Sequence, residues 1–584
     1  MIVPMSHLTV LCTESSRREV LDELQSLGVL HVTHESAPTA TEDLAAAEKA
    51  LADAERALGI VKGLPSRGDA GGPAPATATP EAVLDATSRI DALHAEIDAL
   101  DRDIARYLPF GDFDPDEARA IQSSGLDVTL FKAPQESRPE AAGGYVRILS
   151  ESRSEKAVYG VAVGGLADGV SCERIPLPSR RLSLLEADRA ARVGELQEAR
   201  EALGRFAGAG KALAAEVAKR RTYRDFCAAD AGMGTSGGIA WITGFCPDDA
   251  LGKISETARR NGWGFAARPP AEDELPPTLL RPPRLFRAIA SLFSMLDISP
   301  GYREVDVSVV FYAFFTVFFA MLVGDAGYGA LMLAATLFFR RKFPRAAPAP
   351  FILLTVFSAA TCVWGVLSCN YFGAHPEALD FASARWLNDP SYANIMQLCF
   401  LLGALHLTVA RLWSAAQLCP SAKALAELGW TGIVWTMYCA ACAVVIEGFA
   451  FPGFMKVVAP LSILLVFLFT LSREEIKTQG VTLAILPLNI ISCLGDIISY
   501  VRLFAVGLAS VKVAENFNTM ALDMSLPLVV KIPVVVLILL LGHGLNLAMG
   551  ALSILVHAVR LNTLEFSSHK GISWMGFAYA PFRK

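Results

Sequence analysis

The sequence is poor in charge. Asp, Glu, Lys and Arg supply 19% of its 584 residues, and the net charge is −6. Such a balance exerts no long-range pull on nucleic acid, and that partner class is set aside. Ordered cysteine spacing is also missing. The eleven cysteines follow neither a zinc nor a disulfide pattern, so no metal site is expected. Cys439 and Cys442 form a CxxC inside an apolar run, where they read as small packing residues. The opening segment MIVPMSHLTVLCTESSRREV lacks the charged start and unbroken apolar stretch of a signal peptide, which predicts a first half that stays in the cytosol. A phosphate loop is absent too. AGAGKA (207–212) has Arg205 in place of the first glycine and Ala212 in place of the final Ser or Thr, and no strand precedes it. Neither a nucleotide site nor any other cofactor is expected.

What the sequence has in quantity is apolar length. Hydrophobic residues make up 53% of it, and mean hydropathy is +0.40. That average joins two unlike halves. Residues 1–285 are rich in Ala, Glu, Arg and Asp, whereas 305–584 consist mostly of long apolar runs, able to cross a hydrocarbon core of about 30 Å. Eight spans are predicted: 305–322, 326–340, 349–370, 394–414, 430–448, 456–471, 482–515 and 530–560. Arg340, Arg341, Lys342 and Arg345 follow the second, Arg473 and Lys477 the sixth, and the loop 371–393 is acidic with Glu377, Asp380 and Asp389. Positive loops face the cytoplasm, and an even number of spans returns the C-terminus to that side. Arg411 and Lys423 are read as a short mixed connection between the fourth and fifth spans.

The soluble half alternates strands and helices. HLTVLCT (7–13), SSRREVLDELQSLG and VLHVTHE read as strand, helix, strand, and the order returns at GIAWITGF, PDDALGKISETARRNG and WGFAARP. Two such units pair into a ferredoxin-like lobe. A third α/β patch occupies about 110–180. Ile90, Leu93, Ile97, Leu100 and Ile104 repeat at three and four, the seam of a helix pair, and a Gly/Pro/Ala linker near 67–80 lets one helix turn back. The expected arm covers 1–290, with a membrane-proximal lobe (about 1–40 and 235–270), a rod of antiparallel helices (about 41–108 and 181–232) and a distal α/β lobe (about 109–180). Residues 300–584 form the membrane domain. No pocket chemistry is visible in the rod, so a strut or tether is expected rather than an enzyme.

Arg502 and Arg560 stand on the last two apolar segments. An arginine at mid-membrane costs about 2.5–3.5 kcal/mol on insertion scales. Two on adjacent spans point to a site that handles negative charge inside the bilayer. His543, Asn546, Gly550, Ser553, His557 and Arg560 fall on one helical stripe. Ser492, Gly495, Asp496, Ser499 and Arg502 form another, continued by Ala509. Lys512 and Glu515 read as a self-neutralising pair, and His406 as a bonded packing histidine.

At SYVRLFAVGLA (499–509) the sequence resembles the membrane stator subunit of V/A-type rotary ATPases, called subunit I in bacteria and subunit a in eukaryotes. The family carries S-Y-x-R-L-x-A-x-x-L-A on its seventh span, often after Gly-Asp, as Gly495-Asp496 stands here. Matches follow in order at VGDAGYG (323–329), WGVLSCNYFG (364–373), GALHL (403–407), VHAVRLNTLEF (556–566) and the closing PFRK. WITGFCP (241–247) and the opening strand–helix–strand look like the family's cytosolic domain. The departures are Lys512 and Glu515, where small apolar residues are usual, Thr563, where an aromatic is common, and SSHKGISWMGFAYAPF in place of a Gly-rich tail.

The resemblance implies a non-catalytic stator in a bacterial-type cytoplasmic membrane, with both termini cytosolic. Arg502 and Arg560 would face a rotor ring of small carboxylate-bearing subunits, between two aqueous half-channels for H⁺ or Na⁺. Asp496, Ser499, His543, Asn546, His557 and Glu565 would line those routes or orient the arginines, and Asp325 and Tyr328 would be structural. Peripheral stalk subunits, a central-stalk socket and the lipid bilayer are the remaining partners. A stand-alone secondary transporter and a membrane-tethered scaffold are the alternatives; no repeat among the spans favours the former.

Overall fold

Residue spacing along 80–107 dictates a helix whose apolar edge must be covered. In the structure, a computed structural model, Ile90, Leu93 and Ile97 are buried on that edge against Leu196 of a second helix. The structure describes the chain except residues 34–40, 65–77, 136–138, 141–142, 154–155, 167–171, 377–385, 388–391, 471–480 and 526, and the side chains of 285 and 481–484. Most of the Gly/Pro/Ala linker, the three acidic residues of loop 371–393, and Arg473 and Lys477 lie outside the described residues. Two compact units are present. One is Val10–Thr243 with Gly262–Gly264 and Phe582–Lys584; the other is Met1–Thr9, Gly244–Asn261 and Phe265–Pro581.

The chain opens with β1 (Met5–Thr13), α1 (Arg17–Leu27) and β2 (His31–Thr33). It continues through α2 (Glu42–Gly63), α3 (Pro80–Tyr107), α4 (Pro115–Ser123), β3 (Val128–Pro134), β4 (Tyr145–Ser152), β5 (Ala157–Val163) and β6 (Glu173–Ile175). Then come α5 (Leu182–Gly204), α6 (Gly210–Ala231), β7 (Gly234–Ser236), β8 (Ile239–Pro247), α7 (Leu251–Asn261) and β9 (Gly264–Arg268). One sheet has the order β2-β8-β1-β9 with β7 on β8; the other is β4-β5-β3-β6. The second sheet is antiparallel, with Val128 opposite Val163 and Leu130 opposite Ile175. Two of its strands, β4 and β6, carry no strong sequence signal.

Threonines start the long helices: Thr41 accepts from Leu44 N and Thr79 from Ala82 N. α2 runs antiparallel to α6, with Leu44 beside Cys227, Leu51 beside Val217 and Ala57 beside Leu213. α3 runs antiparallel to α5. Exposed ion pairs flank both seams, such as Arg89–Glu195 and Arg221–Glu55, each 2.6 Å. Such pairs contribute about 0–1 kcal/mol, whereas one buried leucine contributes about 1.5–3, so the apolar seam holds the rod. Leu100 and Ile104 leave that seam and pack with Tyr107 and Phe110 under the second sheet.

The apolar half contains α8 (Ile289–Leu296), α9 (Ser308–Val323), α10 (Ala326–Lys342), α11 (Pro348–Leu367), α12 (Ala393–Leu418), α13 (Lys423–Val445) and α14 (Met455–Phe469). After these come α15 (Val481–Ile498), α16 (Val501–Leu522), α17 (Leu528–Ser553), π-helical segments at Ile554–Ala558 and Leu561–Phe566, and α18 (Ser567–Lys570). Helices occupy all eight expected places, but among the described residues only five stretches are long and apolar enough to cross a membrane. These are Pro348–Leu367, Ala393–Leu418, Lys423–Val445, Ile485–Leu522 and Leu528–Lys570. Counting α9 with α10 makes six, although that pair bends by 119°. α9, α10 and α14 have 16, 17 and 15 residues. Helices of that length rise about 22–26 Å, short of a ~30 Å core.

The bend between α9 and α10 follows from VGDAGYG. Gly324 takes φ 68°, and Asp325 caps α10 by accepting from Gly327 N at 2.7 Å and Tyr328 N at 3.1 Å. The loop after α11 closes on this turn: Asn370 Nδ2 donates to Gly324 O at 3.0 Å and Gly373 N to Asp325 at 2.9 Å. A Cβ at Gly365 would lie 2.0 Å from Ala326 N, so only glycine admits this crossing.

One stripe expectation needs correction. α15 ends at Ile498, and the chain restarts as α16 at Val501 after a tightened turn in which Arg502 N bonds Ser499 O. That turn keeps Ser499 and Arg502 on one face, where both reach Glu565 Oε1. In the last segment the switch to π hydrogen bonding after Ser553 re-aims everything beyond it. Arg411 is not in a connection either; it lies within α12 and is largely buried.

Candidate polar centre around Arg502, Arg560 and Glu565

The two arginines reach one carboxylate. Glu565 Oε1 is 3.7 Å from Arg502 Nη1 and 3.5 Å from Arg560 Nε. Glu565 is 5% exposed, Arg502 21% and Arg560 53%. Both separations exceed the about 2.7–2.9 Å of a tight charge-assisted hydrogen bond. Glu565 thus lowers the local charge without locking either guanidinium. Its other oxygen, Oε2, is buried and unbonded, as is Arg502 Nη1. The π-helical turn Leu561–Phe566 is what swings Glu565 under the pair.

From Glu565 the polar groups continue in one direction. Ser499 Oγ lies 3.1 Å from Glu565 Oε1 and 2.8 Å from the backbone oxygen of Asp496, so its single proton serves either acceptor. Asp496 Oδ2 meets His569 Nε2 at 3.0 Å, and Arg411 Nε donates to His569 Nδ1 at 3.1 Å. Arg411 Nη1 donates to Glu427 at 3.1 Å and the guanidinium covers Trp430 at 4.8 Å. A cavity of about 370 Å³ opens beside Asp496, lined also by Arg411, Asn489, Ser492 and Ser568.

His543 and Asn546 belong to a second set on the other side of the arginines. Asn546 Nδ2 donates to Tyr328 Oη at 3.1 Å and to Ser510 O at 2.9 Å, and Ser510 Oγ donates to Asn546 Oδ1 at 3.0 Å. Tyr328 Oη lies 2.7 Å from His543 Nδ1, and His543 Nε2 lies 3.1 Å from Asn518 Oδ1. Asn518 Nδ2 donates to Phe372 O at 2.6 Å. Along α15–α16 the order is Asp496, Ser499, Arg502, Ser510, Asn518; along the last segment it is His543, Asn546, Arg560, Glu565, His569. Each arginine therefore separates the two sets. His557 lies beside the charges of both arginines with Nδ1 buried and unbonded. Lys512 Nζ is 2.7 Å from Glu515, with Tyr392 also bonded to the lysine. His406 bonds Tyr500 Oη at 2.8 Å between the rings of Phe314 and Phe566.

Sequence reasoning missed Arg411, Glu427, His569, Ser510 and Asn518. A period-3.6 count beyond Arg560 could not find His569, because the π turns change the period. Arg411 carried the one usable signal, an ion in an apolar run.

No family model matches the chain. It is 30% identical over 634 aligned residues to V-type ATP synthase subunit I 1 of Treponema pallidum (strain Nichols), covering 100% of both chains. It is 29% identical over 367 residues to V-type ATP synthase subunit I of Borreliella burgdorferi, covering 59% of this chain and 60% of that one. The A-type ATP synthase subunit I of Archaeoglobus fulgidus is 25% identical over 395 residues, 58% of each. A crystal structure of the cytoplasmic N-terminal domain of a subunit I, homolog of subunit a of V-ATPase, aligns with 45% of this chain at 20% identity, with a TM-score of 0.21 that supports no argument about shape. Identity sustained along the whole of both sequences decides the matter: the chain belongs to the subunit I family of V/A-type ATP synthases, the membrane stator subunit of these complexes.

Proposed function

We propose that this subunit carries the ion path of the rotary complex, with Arg502 and Arg560 facing a rotor ring of small carboxylate-bearing membrane subunits. The observation that carries the reading is Glu565 Oε1 between two guanidiniums that divide two polar sets on both chain segments. One set, Asp496–Ser499–Glu565 with its cavity, forms the inner half-channel. The other, His543–Asn546–Tyr328–Ser510, forms the outer one. A rotor carboxylate arriving at the arginines is favoured in its ionised form, so its ion leaves before the ring advances. A guanidinium suits the task because it stays charged at any working pH. Glu565 and His557 orient or tune the pair.

The helices at all eight places then act as eight spans, α9, α10 and α14 crossing a locally thinned bilayer or ending inside protein. Arg340, Arg341 and Lys342 close α10 on the cytosolic side, which sets both termini there, in a bacterial-type cytoplasmic membrane. Residues 1–290 serve as the stator arm: the α2–α6 and α3–α5 rod and the distal lobe bind peripheral stalk subunits, and the membrane-proximal lobe offers a surface for the central-stalk socket. ATP chemistry takes place on other chains. Arg502→Ala is expected to abolish ATP-driven ion transport in reconstituted vesicles while detached ATPase activity persists; coupled transport surviving that change would refute the assignment.

A further inference from the structure

The rotary reading leaves Glu427, Arg411 and His569 without a task, and their geometry supplies one. Arg411 Nε points at His569 Nδ1 from 3.1 Å. A guanidinium has five N–H donors and no acceptor. Nδ1 must therefore present a lone pair, and the single proton of the neutral ring sits on Nε2. That atom is 3.0 Å from Asp496 Oδ2. Arg411 thus selects the tautomer that donates to the carboxylate.

Charging the ring would set an N–H on Nδ1 against the N–H of Arg411 and place two cations side by side. The groups facing His569 are Arg411 and His406 from α12, Glu427 from α13 and Asp496 from α15. Glu427, 3.1 Å from Arg411 Nη1, holds the guanidinium in place. His569 is 4% exposed, whereas Asp496 is 32% exposed and borders the cavity of about 370 Å³. Both line that cavity, His569 as the more buried member of the pair and Asp496 as the more exposed one.

We infer that His569, kept neutral by Arg411, is a positioning residue for Asp496, and that Asp496 is the group that exchanges protons between the inner cavity and the arginine centre. The inference rests on the rotary reading above and names the ion handled at its inner end. Oδ2 remains committed to the imidazole N–H, and Oδ1 takes the proton. A proton arriving on Oδ1 departs to a cavity water, which becomes hydronium, and the carboxylate regains its charge; the reverse order loads the site. The imidazole neither gains nor loses a proton in either direction.

The assembled complex in proteoliposomes tests this, with ATP-driven proton uptake followed against pH for His569→Gln, His569→Leu and Arg502→Gln. A glutamine amide offers an N–H and a carbonyl in the same sense as the ring but cannot be charged. His569→Gln is expected to keep the parental pH profile. His569→Leu should lose several-fold in rate and alter the pH profile, since the carboxylate then lacks the N–H donor that fixes Oδ2. An assembled His569→Gln complex as inactive as Arg502→Gln would show that the ring itself must charge, and would overturn the inference while the rotary reading stands. A His569→Leu complex with the parental rate and profile would overturn it equally. Should the Leu complex fail to assemble, the Gln profile decides alone. Transport surviving Arg502→Gln would remove the rotary reading, and this inference with it.

Discussion

Asp325 accepts the backbone N–H of Gly373 at 2.9 Å, a bond that ties the α9–α10 turn to the loop after α11. The same carboxylate accepts from Gly327 N and Tyr328 N, so a buried acid is satisfied by three amides rather than by a cation. Asp325→Asn turns one of its two acceptor atoms into a donor that faces an N–H. Leaving one buried amide unpaired costs about 1–3 kcal/mol. The expected result is a lower melting temperature of the detergent-solubilised complex; an unchanged one would count against the clasp.

Glu565 is the shared counter-charge of Arg502 and Arg560. Glu565→Gln keeps a hydrogen-bonding group of the same size and removes the charge. Assembly should survive, because Arg560 is half exposed and finds water. Coupled transport should fall about tenfold, equivalent to ~1.4 kcal/mol in the barrier. A transport rate equal to the parent's would remove Glu565 from the ion path.

Tyr328 Oη links Asn546 to His543. Tyr328→Phe deletes that hydroxyl and leaves the ring in its aromatic contacts with Phe372 and His543. Hydrogen bonds between membrane helices contribute about 0.6 kcal/mol on average, so stability should change little. A several-fold slower transport with normal assembly is the expected outcome, measured in proteoliposomes; equal transport would detach this set from the route.

Cysteine chemistry reads the orientation. Cys419 is exposed between α12 and α13, while burial pushes the Cys246 thiol up to about 12. A membrane-impermeant maleimide at neutral pH should label Cys419 in inside-out vesicles and spare it in intact cells, with Cys246 silent in both. Labelling from the outside would reverse the proposed sidedness of that connection.

In the rod, Leu93 is fully buried and the Arg89–Glu195 pair is exposed. Leu93→Ala should cost about 2–5 kcal/mol, and Arg89→Ala less than ~1 kcal/mol. Limited proteolysis across a temperature series separates the two; equal effects would mean that charge rather than the apolar seam holds α3 to α5.

Much of this architecture was legible in the linear pattern, because helix periodicity and apolar length are local properties. The seam at Ile90, Leu93 and Ile97, the long apolar stretches of the second half and the expense of placing Arg502 and Arg560 in them all follow from residue type and spacing. The weak strands β4 and β6 did not, since their pairing is set by partners far along the chain.

Residue order alone determined that this is a membrane protein with two costly cations near its end, in a motif that marks its family. Only the tertiary structure decided which groups those cations meet. The π turns after Ser553 rotate side chains off the faces a uniform 3.6-residue helix assigns. Glu565, Asp496 and His569 come together because three helices converge on them, and no one-dimensional period encodes that convergence.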